Sequence, residues 1–308
     1  MTDDRNVKSQ KWIEGMERFL QVSICFLAAF WLSSCATMRA ANNPEELVHA
    51  FDRAIIAIPS KYLNQNDFST SGGMLWGRVE DVRDELDKIP ADSEIPLVIY
   101  MHGCAGIGMS ALRDIGFLAR NNYAVLAPDS FARKYKPKSC DPWTYTGGLH
   151  RGVLGFRLAE ARYAHEVAKN LPWVDKRNIF MMGFSEGGIT TAKYPHGGLA
   201  GRIILGWTCT SGWPEYSGIS GPRHEPILAV VASNDPWFTS PWTSGHCRSS
   251  LFFRRNLEPI VVDVNFHAVQ TLPEVQKKIL QFLEVNKRPK SREFKSHQDQ
   301  AISSKLMR

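Results

Sequence analysis

Several stretches of this chain are apolar along their whole length, and helical patterns separate them. "IPLVIYMHG", "AVLAPDS", "NIFMMGFS", "RIILGW", "PILAVVAS" and "PIVVDVN" follow one another between residues 95 and 265. A strand with one face in water alternates apolar and polar residues, so strands without alternation must be covered on both faces. The intervening "ALRDIGFLARNNY" and "GFRLAEARYAHEVAKNL", and the later "LPEVQKKILQFLEVNK", repeat their apolar positions at helical spacing. This alternation predicts an α/β fold with a mostly parallel central sheet and helices on both faces. In such sheets ligands bind beyond the carboxyl ends of the strands.

Upstream, "PEELVHAFDRAIIAI" from Pro44 predicts an amphipathic helix opened by Asn43-Pro44, and the turn-rich stretch that follows, to about residue 75, gives no readable pattern. No internal repeat or clear boundary divides residues 36–285, which are expected to form one domain.

One strand end stands apart. "NIFMMGFS" runs straight into Gly183-Phe184-Ser185-Glu186-Gly187-Gly188, a G-x-S-x-G pattern. One reading is a glycine-rich turn with Ser185 capping the next helix. The other is a strand-to-helix turn so tight that only Gly183 and Gly187 fit beside an exposed nucleophile. A serine hydroxyl needs a base to take its proton, and the base needs an acid to hold its tautomer. Asp235 follows the strand "PILAVVAS", and His267 follows "PIVVDVN", giving the chain order Ser185, Asp235, His267. Asp263, inside the last strand pattern, is a second candidate acid.

Acyl transfer also needs donors for a developing oxyanion. The backbone N–H of Glu186 is one candidate, and "YMHGCAGIG" at 100–108 offers a second in Cys104. His102 suits holding that loop better than acting as base, and the Glu186 side chain has Arg133, Arg157 or solvent as partners. Trp143, Trp207, Trp213, Trp237 and Trp242 fall in loops on the same side and either line an apolar pocket or pack those loops.

"HGCAG", then "APDSFA", then "GFSEGG" is similar to the pattern of the α/β-hydrolase superfamily, and within it of the dienelactone hydrolase-like group, over about residues 95–285. The resemblance implies the α/β-hydrolase fold and hydrolysis of a small-molecule carboxylic ester without cofactor or metal. Characterised dienelactone hydrolases have cysteine where this chain has Ser185, so a serine carboxylesterase is the closer expectation. Prolyl-peptidase relatives share the triad, which leaves a peptidase of short peptides as an alternative. A non-catalytic envelope-binding protein on the same scaffold is another.

Composition then bounds the setting. The net charge of +6 suggests nucleic acid until it is located: residues 286–308 hold seven Lys/Arg and two Asp/Glu, so five of the six charges lie in a polar tail expected to be solvated and disordered. The body is nearly neutral and has no basic stripe, so no nucleic-acid partner is expected. From Met16 the chain has a short charged start, an apolar run over 19–32, and Leu32-Ser33-Ser34-Cys35, which resembles a bacterial lipobox with Cys35 as the lipidated residue. Residues 1–35 are thus expected to export the body to a bacterial envelope or periplasm and to anchor it to the membrane by lipid. Outside that segment Cys104, Cys140, Cys209 and Cys247 remain, an even number with three possible pairings in an oxidising compartment.

Overall fold

The computed structural model describes residues 39–63, 73–252 and 254–289. Backbone contacts divide the chain at Asn43; of the first unit only residues 39–43 are described, and the fold belongs to the unit beginning at Pro44. The expected leader with Cys35, and the tail from 290, lie outside the described residues. Among the described residues no helix is long and apolar enough to cross a membrane.

The centre is an eight-stranded sheet. In chain order its strands are β1 (Ile55–Pro59), β2 (Met74–Arg78), β3 (Ile95–Met101), β4 (Ala124–Ala127), then, after a small hairpin of β5 (Cys140–Asp141) and β6 (Thr146–Gly147), β7 (Val174–Phe184), β8 (Gly201–Leu205), β9 (Ile227–Ala232) and β10 (Leu257–Val262). Across the sheet the order is β10-β9-β8-β7-β3-β4-β1-β2. All pairings from β10 to β4 are parallel, and β1 runs antiparallel to both of its neighbours. This is the α/β architecture expected from the sequence.

Helices cover both faces because the inner strands are apolar on both. All seven residues of β3 are buried. Val98 and Tyr100 pack on one side with Ile115 and Leu118 of α3 (Met109–Arg120) and Ile279 and Leu283 of α6 (Pro273–Asn286). Leu97, Ile99 and Met101 pack on the other side with Ala161, Ala164 and Ala168 of α4 (Val153–Asn170). The small alanines let α4 lie close against the sheet.

Two expectations change at the ends. The helix expected over residues 44–58 stops early: α1 covers Pro44–Asp52, and Ile55–Pro59 is β1, while the one-turn α2 (Arg83–Leu86) follows β2. In β1, Ile55, Ile56 and Ile58 are β-branched; all three pair with β2, and Ile55 and Ile56 pair with β4 on the other side, so tertiary pairing outweighs the helical spacing. At the other end the fold continues past residue 285. The Arg288 N–H donates to Asn178 Oδ1 at 2.7 Å, and Arg177 donates to the Pro289 carbonyl at 2.8 Å, which ties the start of the tail to β7.

Sequence and sheet order together locate one crevice. The chain adds β4 on one side of β3 and then builds β7 to β10 on the other, so the loops leaving β3 and β7 diverge from adjacent strand ends. Such a reversal is where open α/β sheets bind ligands. These two loops carry Cys104 and Ser185.

Candidate active site

β7 ends at Phe184 and α5 (Glu186–Lys193) begins two residues later, so Ser185 alone turns the chain. Its backbone stands at φ 57°, ψ −119°, in a region that residues with a Cβ rarely adopt and that costs about 1–3 kcal/mol. Two hydrogen bonds hold it there: the Ser185 N–H donates to the Leu205 carbonyl at 2.8 Å, and the Ile189 N–H donates to the Ser185 carbonyl at 3.0 Å.

The flanking glycines are a steric requirement. A Cβ on Gly183 would lie 2.0 Å from the Gly187 carbonyl oxygen, and one on Gly187 would lie 1.8 Å from the Met101 oxygen. Both obstacles are backbone, which cannot rotate away. Gly187→Ala is therefore expected to destabilise the fold by at least about 3 kcal/mol in urea unfolding, the upper range for overpacking; a loss under about 1 kcal/mol would show that the turn is loose.

Asp235 and His267 meet. The His267 Nδ1 lies 2.7 Å from Asp235 Oδ2, and the other carboxylate oxygen accepts from the Trp237 N–H at 3.0 Å. Asp235 is buried. Neutral His267 thus carries its proton on Nδ1, and Nε2 is left as an acceptor. That Nε2 is buried and has no hydrogen-bond partner. Rings fix the imidazole: Phe184 lies 4.9 Å away, Trp237 5.4 Å and Phe238 5.7 Å, centroid to centroid. Phe184 immediately precedes Ser185, so the imidazole packs beside the serine turn. Gly206 makes room for both rings, since a Cβ there would stand 3.0 Å from Phe184 and 3.1 Å from His267. Asp263, the second candidate acid, points elsewhere and accepts from Ser233 Oγ at 2.9 Å.

The loop after β3 closes against the same turn. A Cβ on Gly103 would lie 3.5 Å from the Ser185 Cβ, so the backbone leading into Cys104 runs alongside the serine. Glu186 opens α5, where first-turn N–H groups have no intrahelical partner. His102 is fully buried and holds the loop: its Nδ1 contacts the Gly103 carbonyl at 2.7 Å, and its Nε2 accepts from the Ser130 N–H at 3.2 Å. Burial, with the Arg157 charge adding to it, lowers its pKa well below the ordinary histidine value, which keeps the ring neutral.

Arg157, from α4, joins the two loops. It donates to His102 Nε2 at 2.8 Å and to the His102 carbonyl, while its Nε stands 3.8 Å from the Glu186 carboxylate. The last contact is ionic and too long for a hydrogen bond, and the Nε has no other partner. Burial raises the Glu186 pKa, against the opposing pull of Arg157 and the Ser139 hydroxyl. Arg133 instead pairs with buried Glu160 at 2.5 Å. The sequence left Glu186 open between Arg133, Arg157 and solvent, and the structure selects Arg157. It gave no reading of the wider network; Arg157 and Glu160, charged residues on the mostly apolar inner side of α4, were the available signal. Removing one member of a buried ion pair costs about 3–5 kcal/mol, so Arg157→Ala is expected to lower unfolding stability by that order in urea titration. A change within 1 kcal/mol would show the network to be dispensable.

A cavity of about 390 Å³ opens in front of Ser185. Trp207, Trp213, Trp237 and Trp242 line it, together with Tyr216 and Phe238, two aromatic residues not singled out from the sequence. Trp143 does not: it sits between β5 and β6 and is 92% exposed. Two disulfides brace the rim. Cys104–Cys140 ties the loop after β3 to the β5–β6 hairpin, and Cys209–Cys247 ties the loop after β8 to the segment before β10. Of the three possible pairings this is the one formed, and bridges of this kind belong to oxidising compartments outside the cytoplasm. Among the described residues no group of acids, histidines and cysteines could hold a metal.

No protein-family model matches the chain, and no curated protein matches it. Solved structures similar to it include the dienelactone hydrolase-like promiscuous phosphotriesterase P91 from metagenomic libraries, at 15% identity and TM-score 0.49, covering 62% of this chain and 86% of that one. Est1E from Butyrivibrio proteoclasticus is similar at 15% identity and TM-score 0.44, covering 63% and 89%. The Pyrococcus furiosus esterase Pf2001 follows at 16% identity and TM-score 0.45, covering 63% and 84%.

Proposed function

We propose that this chain is a serine hydrolase of carboxylic esters, with Ser185 as nucleophile, His267 as base and Asp235 as the group that orients it. The observation that carries the reading is the Asp235–His267 hydrogen bond of 2.7 Å beside the strained serine turn, with the imidazole Nε2 unpartnered. The acid sets the tautomer, so the free nitrogen is the one able to accept a proton.

In the mechanism this implies, Ser185 Oγ attacks the ester carbonyl carbon as its proton passes to His267 Nε2. The resulting imidazolium is stabilised by the Asp235 carboxylate. The oxyanion is received by backbone N–H groups of Glu186 and Cys104, a role supported by the position of Glu186 at the start of α5 and by the close approach of Gly103 to Ser185. Collapse of the tetrahedral intermediate breaks the ester C–O bond, and His267 returns its proton to the leaving alcohol. A water molecule then attacks the acyl-enzyme with His267 again as base, releasing the acid and restoring Ser185. Every step uses protein groups and water alone. Cys35, as lipid site of an exported, membrane-anchored form, remains part of the same proposal; the leader pattern motivates the lipid anchor, and the two disulfides support export alone.

The direct test is reaction of the full chain with a fluorophosphonate, followed by peptide mapping. Modification at Ser185, prevented by prior denaturation, is the expected result. A folded protein that takes no label, or takes it on another serine, would remove the basis for the reading.

A further inference from the structure

The walls of the cavity in front of Ser185 go further than the chemistry of the ester bond. Four tryptophans, Tyr216 and Phe238 are its aromatic lining. Among the described residues no lysine, arginine or histidine lines it, and its one carboxyl group is that of Glu186. Arg157 is buried and does not line the cavity; its charge faces the carboxylates of Glu186 and Glu160, each at 3.8 Å. At the mouth, Arg151 stands 3.9 Å from the Trp213 ring, but Glu215 accepts its guanidinium hydrogen bonds. We infer that the substrate is an uncharged ester carrying an aromatic ring, seated between the tryptophans of this cavity. The inference rests on the hydrolase reading above only for the word ester; the recognition concerns the cavity itself.

Physical chemistry gives three reasons for that choice. Flat indole and phenol faces attract another ring beyond the apolar area they bury, through offset or edge-to-face packing that an alkyl chain cannot reproduce. A substrate carboxylate would leave water for a site with no cation to receive it, and would meet Glu186, so it is disfavoured twice. A substrate ammonium group would have to compete with Arg157 for the single acid, and Arg157 is already fixed there by His102. The rim is held by two covalent ties, so the aromatic walls are set before the ligand arrives and less ordering is left to the binding step.

Binding to the full-length Ser185→Ala protein, followed by quenching of tryptophan fluorescence, separates this inference from turnover. Methyl 3-phenylpropanoate is compared with methyl hexanoate and with two ring-substituted analogues, one bearing a carboxylate and one an aminomethyl group. The neutral aromatic ester is expected to bind about tenfold more tightly than the alkyl ester and about 100-fold more tightly than the carboxylate form. The aminomethyl form is also expected to bind more weakly. Trp213→Ala and Trp242→Ala, at positions 41% and 74% exposed and so tolerant of change, should each reduce the aromatic preference severalfold. Glu186→Gln removes the one carboxylate that lines the cavity, while Arg157 keeps Glu160 at 3.8 Å, and should recover about tenfold of the carboxylate penalty. Equal affinity for ring and alkyl esters, or tighter binding of either charged form, would overturn the inference even if Ser185 proves to be the nucleophile. Conversely, the expected ranking in a protein that hydrolyses no ester would leave an aromatic-binding cavity and overturn the hydrolase reading alone.

Discussion

Ser185→Ala is expected to lower kcat/KM for short esters by about 10⁴-fold or more, and to do so with no loss of fold. The size follows from the role: without the hydroxyl no acyl-enzyme forms, and what remains is water attack assisted by the oxyanion donors, as found when serine hydrolases lose their nucleophile. The intact fold follows from the geometry. Alanine has a Cβ as serine does, so the strain at φ 57° is unchanged, and the hydrogen bonds that hold the turn come from the backbone of Leu205 and Ile189. The measurement is steady-state hydrolysis of p-nitrophenyl acetate beside a thermal melt of both proteins. Activity within tenfold of the parent, with equal melting temperature, would mean that another group performs the chemistry and that the serine turn is only a turn.

The second large effect is expected at Asp235. In Asp235→Asn the amide oxygen can keep the bond from the Trp237 N–H, so the amide NH2 is presented to His267 Nδ1. That nitrogen must then accept, the ring proton moves to Nε2, and the atom facing the serine turn can no longer take a proton. A loss of about 10⁴-fold in kcat is expected, with little change in KM, because the tautomer rather than substrate contact is altered. Asp263→Asn provides the contrast, since Asp263 only accepts from Ser233 near the sheet end. It should leave kcat within a few-fold. A larger loss in Asp263→Asn than in Asp235→Asn would reverse the assignment of the acid.

Local patterns carried much of this. Strands such as 95–101 and 227–232 were legible because burial on both faces leaves no polar position in their sequence. The serine turn was legible because the constraint is covalent and short-range: residues 183 and 187 must lack a Cβ wherever this chain reversal occurs. Asp235 and His267 were readable as residues just past strand ends. By contrast, β1 was hidden, since isoleucines at helical spacing after α1 satisfy either pattern until partner strands are known.

The sequence by itself determined the layered α/β architecture, the glycine-boxed serine and the chain order of its candidate partners, all of which follow from spacing along one segment. Only the tertiary structure decided which acid meets His267, which cysteines pair, that Arg157 bridges the two loops around the serine, and that four of the five loop tryptophans turn toward one cavity while Trp143 faces solvent. These are meetings between loops far apart in the chain. Their outcome depends on how strands are ordered across the sheet, which no single stretch of residues encodes.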